Sequence, residues 1–234
     1  MAEHGPAITG VAVVIPVNDE EALLGPCLAA VAAAVEAARA MPAPPGVRVI
    51  VVLDDCVDGS AAIAARWPDF EAIEVGYRNV GAARAHGARF AVETSPEAPH
   101  TLWRANTDAD SLVPVDWIAH QVDLARDGAE LMTGAIRPNP ADLSADQYAA
   151  WQERHRVAVG VDRVHGANLG VRADVYLDAG GFEHLAEHED ITLVERLRLG
   201  GVRESAVASP WVQTSARAVG RTPGGYAGFV RAFY

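Results

Sequence analysis

Lysine is absent from this 234-residue sequence, in which all 19 basic residues are arginine. Without a lysine amine, the chain can form no Schiff base with a carbonyl substrate and has no P-loop lysine for a triphosphate. These two kinds of chemistry are therefore excluded. Any phosphate-binding cation that the protein itself supplies must be an arginine.

Cysteine and long apolar runs are also scarce. The two cysteines, Cys27 and Cys56, are too few for a disulfide scaffold and are not spaced as a metal knuckle. Residues 1–10 lack the basic stretch and apolar core of a secretory signal, and the alanine-rich run over residues 29–40 contains charged side chains. We expect no integral membrane segment and a reducing, cytoplasmic location.

Negative charge outweighs positive charge, with 31 acidic residues and a formal net charge of -12 at pH 7. Such a field repels nucleic acid at long range, so we expect no nucleic-acid partner, and phosphate binding would need local arginines or a metal ion. A hydrophobic content of 50% is sufficient for a substantial core. We expect a single domain over residues 1–234.

Short, valine-rich runs alternate with helical segments in the first half of the chain. Residues 11–17 (VAVVIPV) and 47–53 (VRVIVVL) have the pattern of strands that are buried on both faces. The predicted strands cover residues 11–17, 47–53, 70–75 and 101–106, and the predicted helices cover residues 20–40 and 82–93. This alternation indicates an α/β fold with a mainly parallel central sheet flanked by helices.

A polar cluster follows each predicted strand. In parallel α/β sheets, ligands bind beyond the carboxyl ends of the strands, so we expect these clusters along one edge of the sheet. They comprise residues 18–21, residues 54–58, residues 78–84, and the pair Asp108 and Asp110. Later in the chain, residues 137–146 (RPNPADLSAD) are typical of a surface loop, and a helix is predicted over residues 190–199.

Asp108 and Asp110 are the first candidates for chemistry. Two carboxylates separated by one residue at a strand end can hold a hard divalent cation between the protein and a diphosphate. Pairs of this kind also occur as turn or cap residues. Their place after a strand, within this order of strands and helices, favours the metal site.

Several segments resemble, in order, the motifs of glycosyltransferase family 2. They are VVIPVNDEE, VLDDCVDGS, RNVGAARAHGA, TDADS, and the block HGANLGVRADVYLDAGGF with HEDITLVERLRLGG on the acceptor side. The similarity extends from about Val11 to about Gly201. It implies a GT-A fold, a nucleotide-sugar donor carrying UDP or GDP, and Mn²⁺ or Mg²⁺ bound by Asp108 and Asp110.

The resemblance also implies roles at the donor site. It places Pro16, Asn18 and Glu20 near the nucleoside, and it gives Asp54 or Asp55 a hydrogen bond from an N–H group of the base. The alternative for these aspartates is structural, since they could end a strand and cap the next helix. We expect the capping role for the neighbouring Asp58.

Arg84 lies near Gly81 at a predicted helix start, where its guanidinium and the backbone N–H groups could meet donor phosphate or base. The alternative is an exposed, solvated arginine, and the family more often has one additional residue between its glycine and arginine. The resemblance makes Asp190 the base that deprotonates the acceptor hydroxyl. A structural role of Glu189 and Asp190 at the positive end of the helix is the alternative.

The remaining candidates lie late in the chain. Residues 214–234 carry Arg217 and Arg221 near glycines, which suits a loop that closes over a diphosphate, although a C-terminal helix would explain them as well. Three histidines could provide a third metal ligand or contact the acceptor: His165, His184 and His188.

These observations predict one GT-A domain in which residues 11–110 bind the donor, residues 111–213 face the acceptor and residues 214–234 form a closing tail. The predicted function is metal-dependent transfer of a sugar from a nucleoside diphosphate to an unknown acceptor hydroxyl, with inversion. A nucleotidyltransferase is the alternative enzyme, but the segment VNDEEALLGP is acidic where such enzymes usually have a basic, glycine-rich loop. A non-catalytic sugar-nucleotide-binding protein is the third possibility.

Overall fold

The computed structural model of the chain describes residues 7–157 and 164–217. Within them, eight strands form one sheet: β1 (Gly10–Val17), β2 (Gly46–Asp54), β3 (Glu71–Val75), β4 (Leu102–Asn106), β5 (Ser111–Leu112), β6 (Leu131–Pro138), β7 (Leu169–Arg172) and β8 (Glu204–Thr214). Seven α-helices flank the sheet: α1 (Leu24–Arg39), α2 (Ser60–Ala64), α3 (Val80–Glu93), α4 (Trp117–Arg126), α5 (Ala145–Val157), α6 (Ala173–Asp178) and α7 (Glu189–Leu199).

The strand order is β3-β2-β1-β4-β7-β6-β8-β5. Strands β1 to β4 are parallel, as the alternation of strands and helices predicts. Strand β7 is antiparallel to both β4 and β6, β8 runs parallel to β6, and the short β5 is antiparallel to β8. The α/β prediction is therefore confirmed, and the sheet is mixed in its second half.

Strand β1 is buried because both faces of the sheet are covered. Val13 and Ile15 face one core with α1 and α4, and Ala12 and Val14 face another with α3. Burying one such aliphatic side chain stabilises the fold by about 1.5–3 kcal/mol. The continuous apolar sequence of β1 is the consequence of having helices on both sides.

Two expectations for local structure need correction. The helix predicted over residues 20–40 begins later, at Leu24, with Pro26 in its first turn, where a missing N–H costs no hydrogen bond. The loop predicted over residues 137–146 is wrong at both ends, because β6 continues to Pro138, which pairs with Thr214, and α5 begins at Ala145. Among the described helices, none has the length and apolarity needed to cross a bilayer.

The start of α3 is hydrogen-bonded to the segment that precedes α7. Asn79 caps α3 by accepting a hydrogen bond from Ala82 N–H, and its Nδ2 donates to the carbonyl oxygen of His184 at 3.3 Å. Gly81 N–H donates to the carbonyl oxygen of Leu185 at 3.1 Å. A Cβ at Gly81 would lie 2.3 Å from the carbonyl oxygen of Glu183, so only glycine permits this approach.

We predict that Gly81→Ala destabilises the protein by about 1–3 kcal/mol, the usual cost of forcing extra atoms into a packed region. The matched control is Gly76→Ala, in the same β3–α3 connection, where an added Cβ meets nothing within 4 Å. Chemical denaturation of both variants measures the difference. Equal stabilities would contradict the close packing of α3 against the segment before α7.

Candidate functional site

The carboxyl end of β2 contains a buried aspartate whose hydrogen bonds fix the next loop. Asp54 is 2% exposed. Its Oδ1 accepts from Tyr77 N–H at 2.6 Å and Arg78 N–H at 2.9 Å, and its Oδ2 accepts from Asn79 N–H at 2.9 Å. Both oxygens are thus engaged in fixing the β3–α3 loop. Asp55, the second aspartate predicted to face a base, contacts the same loop only through Arg78, and its side chain is partly exposed.

Asp55 has a left-handed backbone (φ 51°) and its amide donates to the carbonyl oxygen of Val75 at 2.8 Å. Its partly exposed carboxylate forms an ion pair with Arg78. Nearby, Asn18 Nδ2 donates to the carbonyl oxygen of Asp54 at 2.7 Å, and Pro16 lies opposite Val52 in the β1–β2 register. The predicted nucleoside residues from β1 and β2 therefore lie side by side, as expected for strands that end at one edge.

A group of possible metal ligands lies next to these residues, formed by Asp19, Cys56 and Asp58. Asp19 Oδ1 accepts from Val57 N–H at 2.7 Å, and Asp58 accepts from the amides of Glu21 and Ser60 at 2.8 and 2.9 Å. Cys56 Sγ donates to a backbone carbonyl. These contacts explain the group as loop structure. Asp58 has a structural role in it, but the N-cap position expected for it is occupied by Gly59.

Asp108 and Asp110 follow β4, separated by the buried Ala109. Asp108 pairs with Nη2 of Arg84, whose Nε lies 3.3 Å from Oε1 of Glu189. The arginine is only 3% exposed, which corrects the expectation that it could be an exposed surface residue. Its burial follows from its place on the α3 face that packs against the sheet, where two carboxylates offset the loss of hydration.

Asp110 contacts a second arginine. Nη2 of Arg217 lies 3.3 Å from Asp110 Oδ2, and the same guanidinium forms two hydrogen bonds to Glu20, at 2.7 and 2.5 Å. Thr214 Oγ1 also donates to Asp110 Oδ1 at 3.3 Å. The end of β8 therefore lies next to the Asp108–Asp110 pair, and the Glu20 carboxylate lies on the Asp110 side of the site.

Asp190 lies in the first turn of α7, one residue after Glu189. Its Oδ2 accepts from Gly166 N–H at 2.6 Å, and its Oδ1 accepts from Ile191 N–H at 2.8 Å. Gly166 lies against Arg84, since a Cβ there would lie 1.8 Å from Nη1 and would displace the guanidinium. Asp190 is therefore oriented by backbone amides beside the arginine that contacts Asp108.

The site contains more negative than positive charge. Two guanidiniums, those of Arg84 and Arg217, face five carboxylates, so three negative charges are in excess when all of these groups are ionised. The five carboxylates belong to Glu20, Asp108, Asp110, Glu189 and Asp190. Burial raises the pKa of Asp108 and of Glu189, against the opposing effect of Arg84. Burial, and then the charge of Asp108, raise the pKa of Asp110 to about 7.

These oxygen donors, their partial burial and their excess negative charge fit a hard divalent cation such as Mn²⁺ or Mg²⁺, with Asp108 and Asp110 as its protein ligands. A cation at this place would offset both the burial and the mutual repulsion that raise the carboxyl pKa values. The metal site at this pair stays a prediction with which this donor set is compatible.

Two features of the site could not be expected from motifs. Arg104 of β4 is fully buried, and its guanidinium carbon lies 3.6 Å from the ring centroid of Tyr176. A charged residue inside a predicted buried strand was the available signal. The ion pair of Glu20 with Arg217 joins residues almost 200 positions apart, and no local pattern predicts it. Arg221 lies outside the described residues.

The histidines have no common site. His184 lies near Tyr77, with ring centroids 6.2 Å apart, and His188 has a left-handed backbone (φ 64°) just before α7. His165 precedes the turn that supplies Gly166 to Asp190. Their proposed roles as metal ligand or acceptor contact stay predictions.

Comparison with protein families gives one match, to the model described as glycosyl transferase family 2, over residues 12–161. No curated protein sequence matches the chain. Its fold is similar to those of many solved structures.

Three of these structures are informative. The mannosyltransferase PcManGT from Pyrobaculum calidifontis, in complex with GDP-Man and Mn²⁺, has a TM-score of 0.63 at 20% identity, over 94% of this chain and 60% of that one. TarS (residues 1–349) from S. aureus, in complex with UDP, gives 0.60 at 12% identity, over 88% and 61%. Glucosyl-3-phosphoglycerate synthase from Mycobacterium tuberculosis, in complex with Mg²⁺ and UDP, gives 0.53 at 15% identity, over 92% and 73%. At such identities the likeness concerns the fold, and the chain spans about 60% of the length of the first of these proteins.

We predict that Asp110→Asn changes how stability depends on pH when a chelator is present. An aspartate has a pKa near 3.8 when unfolded, whereas that of folded Asp110 is about 7, so between these values the folded protein binds more protons. The contribution of Asp110 to the free energy of unfolding is therefore present at low pH and is lost as the pH rises through 7. Asparagine cannot ionise, so the variant should gain in unfolding free energy over the parent from pH 5 to pH 8. A difference that stays constant across this range would contradict the raised pKa.

Proposed function

The chain belongs to glycosyl transferase family 2 and has a GT-A fold, and we propose that it transfers a sugar from a nucleoside diphosphate to a hydroxyl acceptor. The observation that carries this proposal is the arrangement at the carboxyl edge of the sheet. There, Asn18 contacts the end of β2, and Arg84 joins Asp108 to Glu189 of α7, next to Asp190, whose carboxylate accepts from Gly166 N–H.

The donor is a nucleotide sugar carrying UDP or GDP, in this proposal. Its base would lie near Asp55, whose carboxylate can accept from an imino N–H of uracil or guanine. Its diphosphate would lie near Asp108 and Asp110, with Arg217 able to donate to phosphate oxygens. The complexes of PcManGT with GDP-Man and of TarS with UDP support a donor of this class.

The division of the chain follows from the same arrangement. We propose that residues 11–110 form the donor half and that residues 111–213 face the acceptor, because Asp190 and Gly166 come from the second part. Residues 214–234 would form the closing tail, of which Thr214 contacts Asp110 and Arg217 contacts Glu20.

The transfer would proceed by direct displacement with inversion. Asp190 takes the proton of the acceptor hydroxyl while the hydroxyl oxygen forms its bond to the anomeric carbon. The bond from that carbon to the diphosphate oxygen breaks, and the diphosphate leaves with the electron pair. A divalent cation, when bound at Asp108 and Asp110, supplies positive charge that stabilises the leaving group. Arg84 keeps Asp108 in place and faces Glu189, next to the base.

We predict that nucleotide and cation stabilise the protein jointly. Because Mn²⁺ would join the carboxylates to the diphosphate, UDP or GDP should raise the melting temperature more with Mn²⁺ than with EDTA. UMP and GMP, which lack the second phosphate, serve as controls and should show a smaller dependence on Mn²⁺. Equal stabilisation by the diphosphates in EDTA would refute a cation-linked donor.

We also predict the effect of Asp190→Asn, which retains an oxygen that can accept from Gly166 N–H or Ile191 N–H. The melting temperature and donor affinity should be nearly unchanged, because the nucleotide contacts lie on other residues. Turnover should fall by about 10² to 10⁴, since an amide cannot take the acceptor proton.

The matched control for this variant is Asp174→Asn. Asp174 lies in the first turn of α6 and accepts from the next amide at 2.8 Å, as Asp190 does in α7, but its carboxylate pairs with Arg172 instead of lying beside Arg84. Transfer, measured as release of nucleoside diphosphate with an accepted sugar donor, should be normal in this control. If Asp190→Asn retained transfer, the assignment of Asp190 as the base would be wrong.

A further inference from the structure

Arg217 contacts carboxylates from two different loops of the site. Nη1 donates to Glu20 Oε2 at 2.7 Å, and Nη2 lies 2.5 Å from Glu20 Oε1 and 3.3 Å from Asp110 Oδ2. Glu20 follows β1 and is 6% exposed, whereas Asp110 follows β4. A single nitrogen of the guanidinium therefore lies between a buried glutamate and one of the two proposed cation ligands.

The backbone around Arg217 is held by contacts that do not involve its guanidinium. Ser215 N–H donates to the carbonyl oxygen of Asp110 at 3.2 Å, and Ala216 N–H donates to Asp142 Oδ2 at 2.8 Å. Ser215 Oγ donates to the same carboxylate oxygen at 3.2 Å. The guanidinium can consequently leave Glu20 and Asp110 while Ser215 and Ala216 keep their hydrogen bonds.

The position between Glu20 and Asp110 is also favourable for a divalent cation. Carboxylate oxygens are the preferred ligands of Mg²⁺ and Mn²⁺, and a charge of +2 offsets more of the repulsion in this site than a charge of +1 does. A guanidinium and a metal ion cannot occupy the same few ångströms next to Asp110 Oδ2. A cation that binds at Asp110 Oδ2 therefore displaces the guanidinium from that oxygen.

We propose that Arg217 is an internal competitor of the divalent cation, and that cation binding at Asp110 releases the guanidinium for the donor diphosphate. The inference rests on the proposed function only in taking Asp108 and Asp110 as the cation site. It adds a role for Glu20, which is to hold Arg217 near the site until phosphate oxygens replace the carboxylates as its partner. Planar, bidentate recognition suits both partners.

This exchange makes one substitution act in opposite directions. In Arg217→Gln the competitor is removed, so Mn²⁺ alone should bind more tightly, by roughly fivefold or more, the usual lower range of coupling between sites. The same variant lacks the phosphate contact, so GDP and UDP should bind more weakly in the presence of saturating Mn²⁺, by a similar factor. A purely structural arginine would not produce opposite signs.

The test is a titration of the full chain with Mn²⁺, first without nucleotide and then with GDP or UDP. Electron paramagnetic resonance measures the free ion at each step. The matched control is Arg198→Gln, which removes an equally bidentate pair with Glu204 (2.8 and 2.7 Å) at the far end of α7. Both affinities should be unchanged in this control. Mn²⁺ affinity that is unchanged or weaker in Arg217→Gln would overturn the proposal.

A second measurement does not depend on removing the arginine. Phenylglyoxal reacts with a free guanidinium, so modification of Arg217, identified by mass, reports release of its side chain without movement of the backbone. Modification should be slow in the parent, faster with Mn²⁺ alone, slow again with Mn²⁺ and GDP or UDP, and fast without Mn²⁺ in Glu20→Gln. A modification rate that changes neither with Mn²⁺ nor in Glu20→Gln would also overturn the proposal. The proposed function fails separately, if Asp110→Asn leaves Mn²⁺ affinity unchanged.

Discussion

The buried guanidinium of Arg84 is the contact on which the geometry of the site depends. It comes from α3, on the donor side, and it pairs with Asp108 after β4 and with Glu189 at the start of α7. Since Arg84 is almost fully buried, removing its charge would leave two carboxylates without their main partner, a change that commonly costs about 3–5 kcal/mol. The Asp108–Asp110 pair and the proposed base Asp190 are therefore fixed relative to each other through one side chain.

Arg84 alone does not neutralise the carboxylates around it. The resulting excess of negative charge explains the chemistry proposed for the site. Arg84 and Arg217 face five carboxylates, and burial raises the pKa of Asp108, Asp110 and Glu189. A fold that concentrates negative charge in this way gains most from a ligand that brings two positive charges. In a chain with no lysine, the remaining cation near Asp110 is an arginine from the end of β8, which can move between carboxylate and phosphate partners.

Much of the donor side could be predicted from the sequence, because local patterns determine it. The apolar runs of β1 and β2 and the polar residues that follow them define the sheet edge, and the structure confirms that these residues meet there. The ion pair of Arg84 with Glu189 could not be predicted, since it depends on α7, which lies about 100 residues later. The pairing of β8 with β6 and β5, and with it the contact of Arg217 with Glu20, likewise depends on nonlocal packing of strands with weak patterns.

The central claim is that the carboxylates at this edge bind one divalent cation together with a nucleoside diphosphate. The most direct measurement is the anomalous diffraction signal of Mn²⁺ in crystals grown with Mn²⁺ and GDP or UDP. We predict one strong peak within bonding distance of Asp110 and of the diphosphate, with the Arg217 guanidinium moved away from Glu20. A peak at Asp19, Cys56 and Asp58 instead, or a bound diphosphate without a peak near Asp110, would contradict this account.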